Sequence, residues 1–87
     1  MERTMTRAEI EAQLKTIIEP YVQNKDALSS LTADTDLLKD LQINSAHLVD
    51  IILDMEEAFD IEIDDESAES MLTVGQAIEI TEKLLAN

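Results

Sequence analysis

Cysteine and tryptophan are absent from this chain, and glycine, proline, tyrosine and phenylalanine each occur once in 87 residues. Without cysteine, the protein can form no disulfide, no catalytic thiol and no cysteine-ligated metal site. An all-β fold needs many tight turns, which favour glycine and proline, so one residue of each disfavours that class. Because aromatic residues make up only 2% of the chain, its core must be built from aliphatic side chains and methionine.

Lysine and arginine are also scarce, and neither occurs between Lys39 and Lys83. The chain has 20 Asp and Glu against 6 Lys and Arg, a net charge of −14. Such a surface repels nucleic-acid phosphates and anionic membranes, which excludes both as partners and favours proteins with basic patches. No apolar run reaches membrane-spanning length, and the sequence does not open on a secretory signal. We therefore predict a cytoplasmic monomer with one domain over residues 1–87.

Three segments carry hydrophobic residues at helical spacing. The first opens on a capping box of Thr6 and Glu9 and should end near Tyr21, because Pro20 has no amide hydrogen to donate. The third opens on a second capping box, at 73–76. The predicted buried faces are Ile10, Leu14, Ile17, Ile18 and Tyr21 in the first helix, and Val74, Ala77, Ile78, Thr81 and Leu85 in the third.

The middle segment, 45–59, has the clearest division between apolar and acidic faces. Its core-facing stripe should be Leu48, Ile52, Met55 and Phe59, with Ile51 at the margin. The opposite, solvated face should be His47, Asp50, Asp54 and Glu57. Ala46 and Leu53 lie between the two faces, where they are available for a small docking patch.

The connecting segments complete an all-α fold. Five leucines punctuate residues 23–44, which predicts a long first loop held to the core, with a short helical turn around 26–31. After an extended link at 61–63, three acidic residues at 64–66 suit the positive end of a short helix. The prediction is a small four-helix bundle with three longer helices, one short helix and a long first loop.

Two catalytic or metal-binding interpretations fail on geometry. Ser45, His47 and Asp50 imitate a hydrolytic triad, but Ser45 and His47 are about 200° apart around one helix and their side chains diverge. Asp60 begins a stretch that imitates an EF-hand loop without the required glycine and bidentate glutamate. We therefore predict no catalytic residue, no metal site and no enzyme activity.

Two central segments resemble the acyl carrier protein family. They are 40–48, DLQINSAHL, and 53–63, LDMEEAFDIEI. In that family a D-L-G-x-D-S-L motif opens the second helix, which ends in E-E-x-F-x-x-x-I. The segments 34–37, DTDL, and 73–78, TVGQAI, resemble the family's first loop and last helix. The resemblance therefore covers almost the whole chain.

The resemblance implies that Ser45 carries a covalent 4′-phosphopantetheine arm, transferred from coenzyme A by a phosphopantetheinyl transferase. The thiol of the arm would hold acyl groups as thioesters. It would deliver them to acyl-transferring and condensing enzymes of fatty-acid, lipid or polyketide-type synthesis. The second helix would meet basic docking patches on these enzymes. The implied docking residues are Ala46, Val49, Asp50, Leu53, Asp54, Glu56 and Glu57.

Four residues depart from the family pattern. Asn44 replaces the aspartate before the serine, and Ala46 replaces the leucine after it. Gln42 replaces the motif glycine, and Asp64 replaces a proline often found near the start of the family's third helix, which corresponds to the short helix predicted here. These changes favour a specialised carrier with dedicated partners. They also leave open an alternative, in which Ser45 only caps a helix and the chain is an unmodified acidic adaptor that binds a basic protein.

Overall fold

The computed structural model describes residues 6–86, so residues 1–5 and 87, the ends of the predicted domain, lie outside it. Over this range the chain forms the helices α1 (Arg7–Ile18), α2 (Lys25–Leu28), α3 (Leu48–Phe59), α4 (Asp65–Glu69) and α5 (Val74–Ala86). Two 3-10 turns, Glu19–Tyr21 and Ser45–His47, lie between them. The predicted all-α fold with three longer helices and a short fourth is confirmed, and α2 is the short turn expected in the first loop.

The first helix begins at the predicted capping box. The Glu9 amide donates to the Thr6 hydroxyl at 3.1 Å, and the Thr6 amide donates to the Glu9 carboxylate at 2.9 Å. The second bond favours the ionised carboxylate and holds the pKa of Glu9 below its ordinary value. The helix ends at Ile18, and Pro20 lies in the 3-10 turn that follows. The predicted start of α1 is thus confirmed, whereas the α-helix ends three residues before the predicted Tyr21, which closes the 3-10 turn instead.

The core-facing stripe of α3 is rotated from the predicted one. Ile51, Met55 and Phe59 are buried, whereas Leu48 and Ile52 are half-buried. Ile51 therefore lies at the centre of the stripe and not at its margin. Residues four apart form the ridge with which a helix packs onto its neighbour, and α3 packs against α1.

The last two helices begin at side-chain caps. The Asp64 carboxylate accepts from the Ser67 amide at 2.7 Å, which starts α4 and lowers the pKa of Asp64. The Gln76 amide donates to the Thr73 hydroxyl at 3.2 Å, and the Gln76 side chain accepts from the Thr73 amide at 3.0 Å. This is the predicted second capping box, and it starts α5, which packs against α1. Between Thr6 and Ala86 no helix is long and apolar enough to cross a bilayer.

The long first loop is held to the core by its apolar side chains. Leu28, Leu37 and Leu41 are buried, as predicted, and Ile43 near the end of the loop is buried as well. Complete burial of a side chain of this size stabilises a fold by roughly 1.5–3 kcal/mol. Each of these contacts therefore favours one path for the loop over the alternatives, and that path leads directly into Ser45.

Candidate functional site

A network of hydrogen bonds around Asp36 orders the middle of the first loop. One oxygen of the Asp36 carboxylate accepts from the Leu38 amide at 2.9 Å and from the Lys39 amide at 2.8 Å. The Asp36 amide donates to the Asp40 carboxylate at 2.8 Å. The Asp36 carbonyl accepts from the Asp40 and Leu41 amides. A short acidic side chain at this position thus satisfies backbone donors that no helix or sheet supplies with acceptors.

The same loop is attached to the beginning of α5. The Gly75 amide donates to the Ala33 carbonyl at 2.9 Å, and the Val74 amide donates to the Thr35 carbonyl at 3.0 Å. Gly75 is buried in this contact, and a Cβ at that position would lie only 2.8 Å from the Ala33 carbonyl oxygen. Absence of a side chain lets the loop approach α5 closely, so α5 fixes the loop that leads to Ser45.

Gln42 adopts a backbone conformation that favours glycine. Its φ is 57°, in the left-handed region, where a residue with a Cβ is disfavoured. The family motif to which this chain is similar has glycine at the same position. The sequence departs from the motif here, but the backbone has kept a conformation for which glycine is the better residue.

We predict that Gln42→Gly raises the free energy of unfolding by about 0.5–1 kcal/mol. Relief of the left-handed conformation, about 1–2 kcal/mol, is partly offset by the greater entropy of glycine in the unfolded chain. Thermal or urea unfolding measures the change. Gln42→Ala is the matched control, because it removes the same side chain but keeps the Cβ. An equal gain in the control would show that the Gln42 side chain, and not the backbone, is unfavourable.

Ser45 is the first residue of the 3-10 turn that precedes α3. The turn is capped by Asn44, whose side-chain oxygen accepts from the Ala46 amide at 2.9 Å. Ser45 is exposed, and its hydroxyl makes no hydrogen bond to any residue between Thr6 and Ala86. Ser45 is therefore not the cap of this turn. Within the described part of the chain, its hydroxyl has no other structural role.

The outward face of α3 combines exposed apolar and acidic side chains. Val49 and Leu53 are 62% and 56% exposed, among the most exposed large hydrophobic residues of the described chain. Among the other predicted docking residues, Ala46, Asp50, Asp54 and Glu57 are exposed too. An apolar pair beside a row of carboxylates is the arrangement that a basic partner with a small hydrophobic patch would match.

Glu56 differs from the other predicted docking residues. It is half-buried, and its carboxylate accepts from the Ile63 amide at 2.8 Å. That bond joins the end of α3 to the link that leads into α4. Because the carboxylate is already engaged within the chain, we expect its main role to be structural, and its role in docking stays a prediction.

Tyr21, at the end of the 3-10 turn after α1, contacts the acidic face of α3. Its hydroxyl donates to the Asp54 carboxylate at 3.3 Å. The centroid of its ring lies 5.1 Å from that of the His47 ring, and the two ring planes are tilted by 37°. The pKa of Tyr21 is raised, chiefly by partial burial and to a smaller extent by the negative charges of Asp54 and Asp50. The sequence placed Tyr21 only in the core-facing set of α1, so this contact with α3 was missed.

The catalytic interpretations remain without support in the geometry. His47 Nδ1 lies 3.4 Å from an Asp50 oxygen, so the two side chains do meet. No hydrogen bond joins His47 to the Ser45 hydroxyl within the described residues, which leaves a potential nucleophile without a base. Over residues 6–86, no three His, Asp or Glu side chains are grouped so that they could hold a metal ion.

The described part of the chain also has a cleft between α4 and α5. Its volume is about 380 Å³, and its lining includes Asp64, Ser67, Lys83, Ile80 and Leu84. Only the last two of these are apolar, and Ser45 does not line the cleft. Its walls are therefore mixed in character, with apolar side chains beside polar and charged ones.

Neither a protein-family model nor a curated protein matches the sequence. Among solved structures, the chain is similar to an acyl carrier protein from Enterococcus faecalis. The two share 29% sequence identity with a TM-score of 0.76, over 92% of this chain and 99% of the other. The chain therefore has an acyl-carrier-like fold. Acyl carrier proteins are carriers and not enzymes, which agrees with the prediction that this chain has no enzyme activity.

Proposed function

We propose that this protein is an acyl carrier whose Ser45 bears a 4′-phosphopantetheine arm transferred from coenzyme A. The observation that carries the proposal is Ser45 itself, which is exposed in the 3-10 turn before α3 and whose hydroxyl is left unbonded within residues 6–86 while Asn44 caps the turn in its place. A serine that only capped the helix would accept a hydrogen bond from a backbone amide of the first turn. The similarity of the fold to an acyl carrier protein supports the same conclusion.

The position also suits the chemistry of the arm. A phosphodiester on Ser45 would lie at the N-terminal end of α3, where the helix dipole favours negative charge. The arm brings its own thiol, so a chain without cysteine can still hold an acyl group as a thioester. A thioester on a tethered arm stays at high effective concentration near each docked enzyme, which suits transfer along a series of enzymes.

The exposed face of α3 would recognise the transferase and the acyl-transferring and condensing enzymes. Asp50, Asp54 and Glu57 are exposed and would meet basic residues of these partners. Exposed ion pairs contribute only about 0–1 kcal/mol each, so a row of them favours fast encounter and quick release. Val49 and Leu53 would add apolar contact beside the acidic row.

The departures at Asn44 and Ala46 point to a specialised carrier with dedicated partners. Both residues are exposed, so they alter the surface that surrounds the attachment serine. Asn44 removes a negative charge and also caps the turn, while Ala46 removes apolar area beside the arm. Enzymes of general fatty-acid synthesis that recognise Asp and Leu at these positions should therefore use this chain poorly.

The test is the intact mass of the protein after incubation with coenzyme A and a broad-specificity phosphopantetheinyl transferase. We expect a gain of one phosphopantetheine, and no gain for Ser45→Ala. Ser30→Ala is the matched control, because Ser30 is another exposed serine and its replacement should leave the gain unchanged. The double variant Asn44→Asp/Ala46→Leu should be modified faster than the native chain if the departures define a specialised carrier.

Two results would contradict the proposal. Modification that persists in Ser45→Ala would place the arm elsewhere. An unmodified mass, both after this reaction and in protein isolated from its native host, would favour the acidic adaptor that binds a basic protein without any arm. Equal rates for the native chain and the double variant would leave the carrier function intact and reject only its specialisation.

A further inference from the structure

Four side chains form a continuous chain of contacts across the surface between α1 and α3. The Asp54 carboxylate accepts from the Tyr21 hydroxyl at 3.3 Å, and the Tyr21 ring lies against the His47 ring with 5.1 Å between centroids. His47 Nδ1 lies 3.4 Å from the Asp50 carboxylate. Each of the two aromatic rings thus contacts the other ring and one carboxylate. We refer to these four residues as the Tyr21–His47 cluster.

The cluster joins the two carboxylates that face outward from adjacent turns of α3. Asp50 and Asp54 are four residues apart, so their like charges lie on one side of the helix and repel each other. In isolation, such side chains would move among several rotamers, and a partner would have to order them on binding. Contacts with His47 and Tyr21 would restrict both carboxylates before a partner arrives.

The cluster is also accessible to a partner. The side chains of His47 and Asp50 are 48% and 55% exposed, and Asp54 is exposed. The interval from Asp40 to Glu82 contains no Lys or Arg, so no lysine or arginine from this part of the chain competes for the carboxylates. Charge complementarity therefore favours a basic side chain of another protein as the occupant.

We propose that the partner-recognition surface extends from α3 onto the 3-10 turn after α1, and that Tyr21 and His47 are positioning residues which hold Asp54 and Asp50 for a basic partner. The proposal rests on the proposed function, since it concerns how the carrier meets the enzymes that modify and use it. It assigns Tyr21, a residue of another element, to the docking of partners on α3.

A double-mutant cycle on the phosphopantetheinyl transferase reaction tests the role of Tyr21. Tyr21→Phe keeps the ring against His47 and removes only the hydroxyl that holds Asp54. We expect a two- to fivefold rise in KM with kcat unchanged, because docking is weakened and the chemistry at Ser45 is not. In the Asp54→Asn background, Tyr21→Phe should add no further rise, because a positioning residue acts through the residue it holds.

His47 allows a matched second cycle. His47→Phe keeps an aromatic ring against Tyr21 and removes the nitrogen that contacts Asp50. It should raise KM in the native background and have no further effect in Asp50→Asn. Thermal unfolding of every variant accompanies the kinetics, because a purely structural cluster would lower the melting temperature and leave KM unchanged at a temperature where the protein is folded.

The outcomes separate this proposal from the function on which it rests. If Tyr21→Phe leaves KM unchanged while Asp54→Asn raises it, docking on α3 stands and the positioning role is wrong. Additive effects of Tyr21→Phe and Asp54→Asn would likewise overturn positioning through Asp54. If Ser45 is modified but Asp54→Asn has no effect on KM, the extended surface is rejected for this partner. Failure of modification, both in this reaction and in protein isolated from the native host, would reject the proposed function and this proposal with it.

Discussion

Asp36→Ala should lower the free energy of unfolding by about 2–3 kcal/mol, and with it the melting temperature by roughly 10–20 °C. The Asp36 carboxylate accepts from two backbone amides, of Leu38 and Lys39, at 2.9 and 2.8 Å. Hydrogen bonds to a charged acceptor typically contribute about 1.5–3 kcal/mol each, and partial exposure reduces that value here. In a domain of this size, 1 kcal/mol corresponds to about 4–8 °C. Calorimetry or circular dichroism measures both quantities.

Asp34→Ala is the matched control for this prediction. It removes the same charge from the same loop, but the Asp34 side chain is exposed and forms no hydrogen bond to residues 6–86. On a chain with a net charge of −14, removal of an unbonded carboxylate should be neutral or slightly stabilising. Equal losses in the two variants would show that the loop depends on its charge and not on the bonds made by Asp36.

Gly75→Ala should destabilise the protein by up to about 2 kcal/mol, although alanine is the better helix former. The added methyl group would lie 2.8 Å from the Ala33 carbonyl oxygen and 2.9 Å from the Ala33 Cβ. Overpacking of this kind typically costs about 1–3 kcal/mol or more, against a gain of about 1 kcal/mol in helix propensity. Separation of α5 from the loop would also lengthen the bond between the Gly75 amide and the Ala33 carbonyl, now 2.9 Å. Urea unfolding measures the loss.

A second variant shows whether steric contact with the loop is the cause. Ala33→Gly removes one of the two contacting groups, so the double variant Ala33→Gly/Gly75→Ala should recover part of the loss. Recovery should be incomplete, because the Ala33 carbonyl oxygen remains in place. A single Gly75→Ala variant as stable as the native protein would mean that the loop moves away from α5 at no cost, contrary to the close approach described above.

Features written in a few neighbouring residues could be predicted from the sequence. Local chemistry and helical spacing predict the capping boxes at Thr6 and Thr73 and the end of α1 close to Pro20. They also predict the buried leucines of the first loop. The acyl-carrier-like fold and the place of Ser45 at the start of a helix follow from the same patterns and from the family resemblance.

Features that depend on packing between distant segments could not be predicted. The contact of Tyr21 with His47 and Asp54 depends on how α1 lies against α3, and nothing in either segment records that angle. The bond between Glu56 and the Ile63 amide requires the path of the link after α3. One local signal was available and overlooked, since asparagine is a strong N-cap residue and Asn44 directly precedes Ser45.

Tyr21 is the single tyrosine of a chain without tryptophan, and it lies against the carboxylate proposed to meet partners. The near-ultraviolet absorption and emission of the protein therefore come almost entirely from one ring on the proposed docking surface. A peptide without tryptophan or tyrosine, or a small basic ligand, that displaces Asp54 from the phenol would change that signal directly. Binding to the proposed docking surface can in this way be followed in the unlabelled protein. The absorbance of the Tyr21 phenolate at alkaline pH gives a second measure of the contact between Tyr21 and Asp54, and it can be compared among variants.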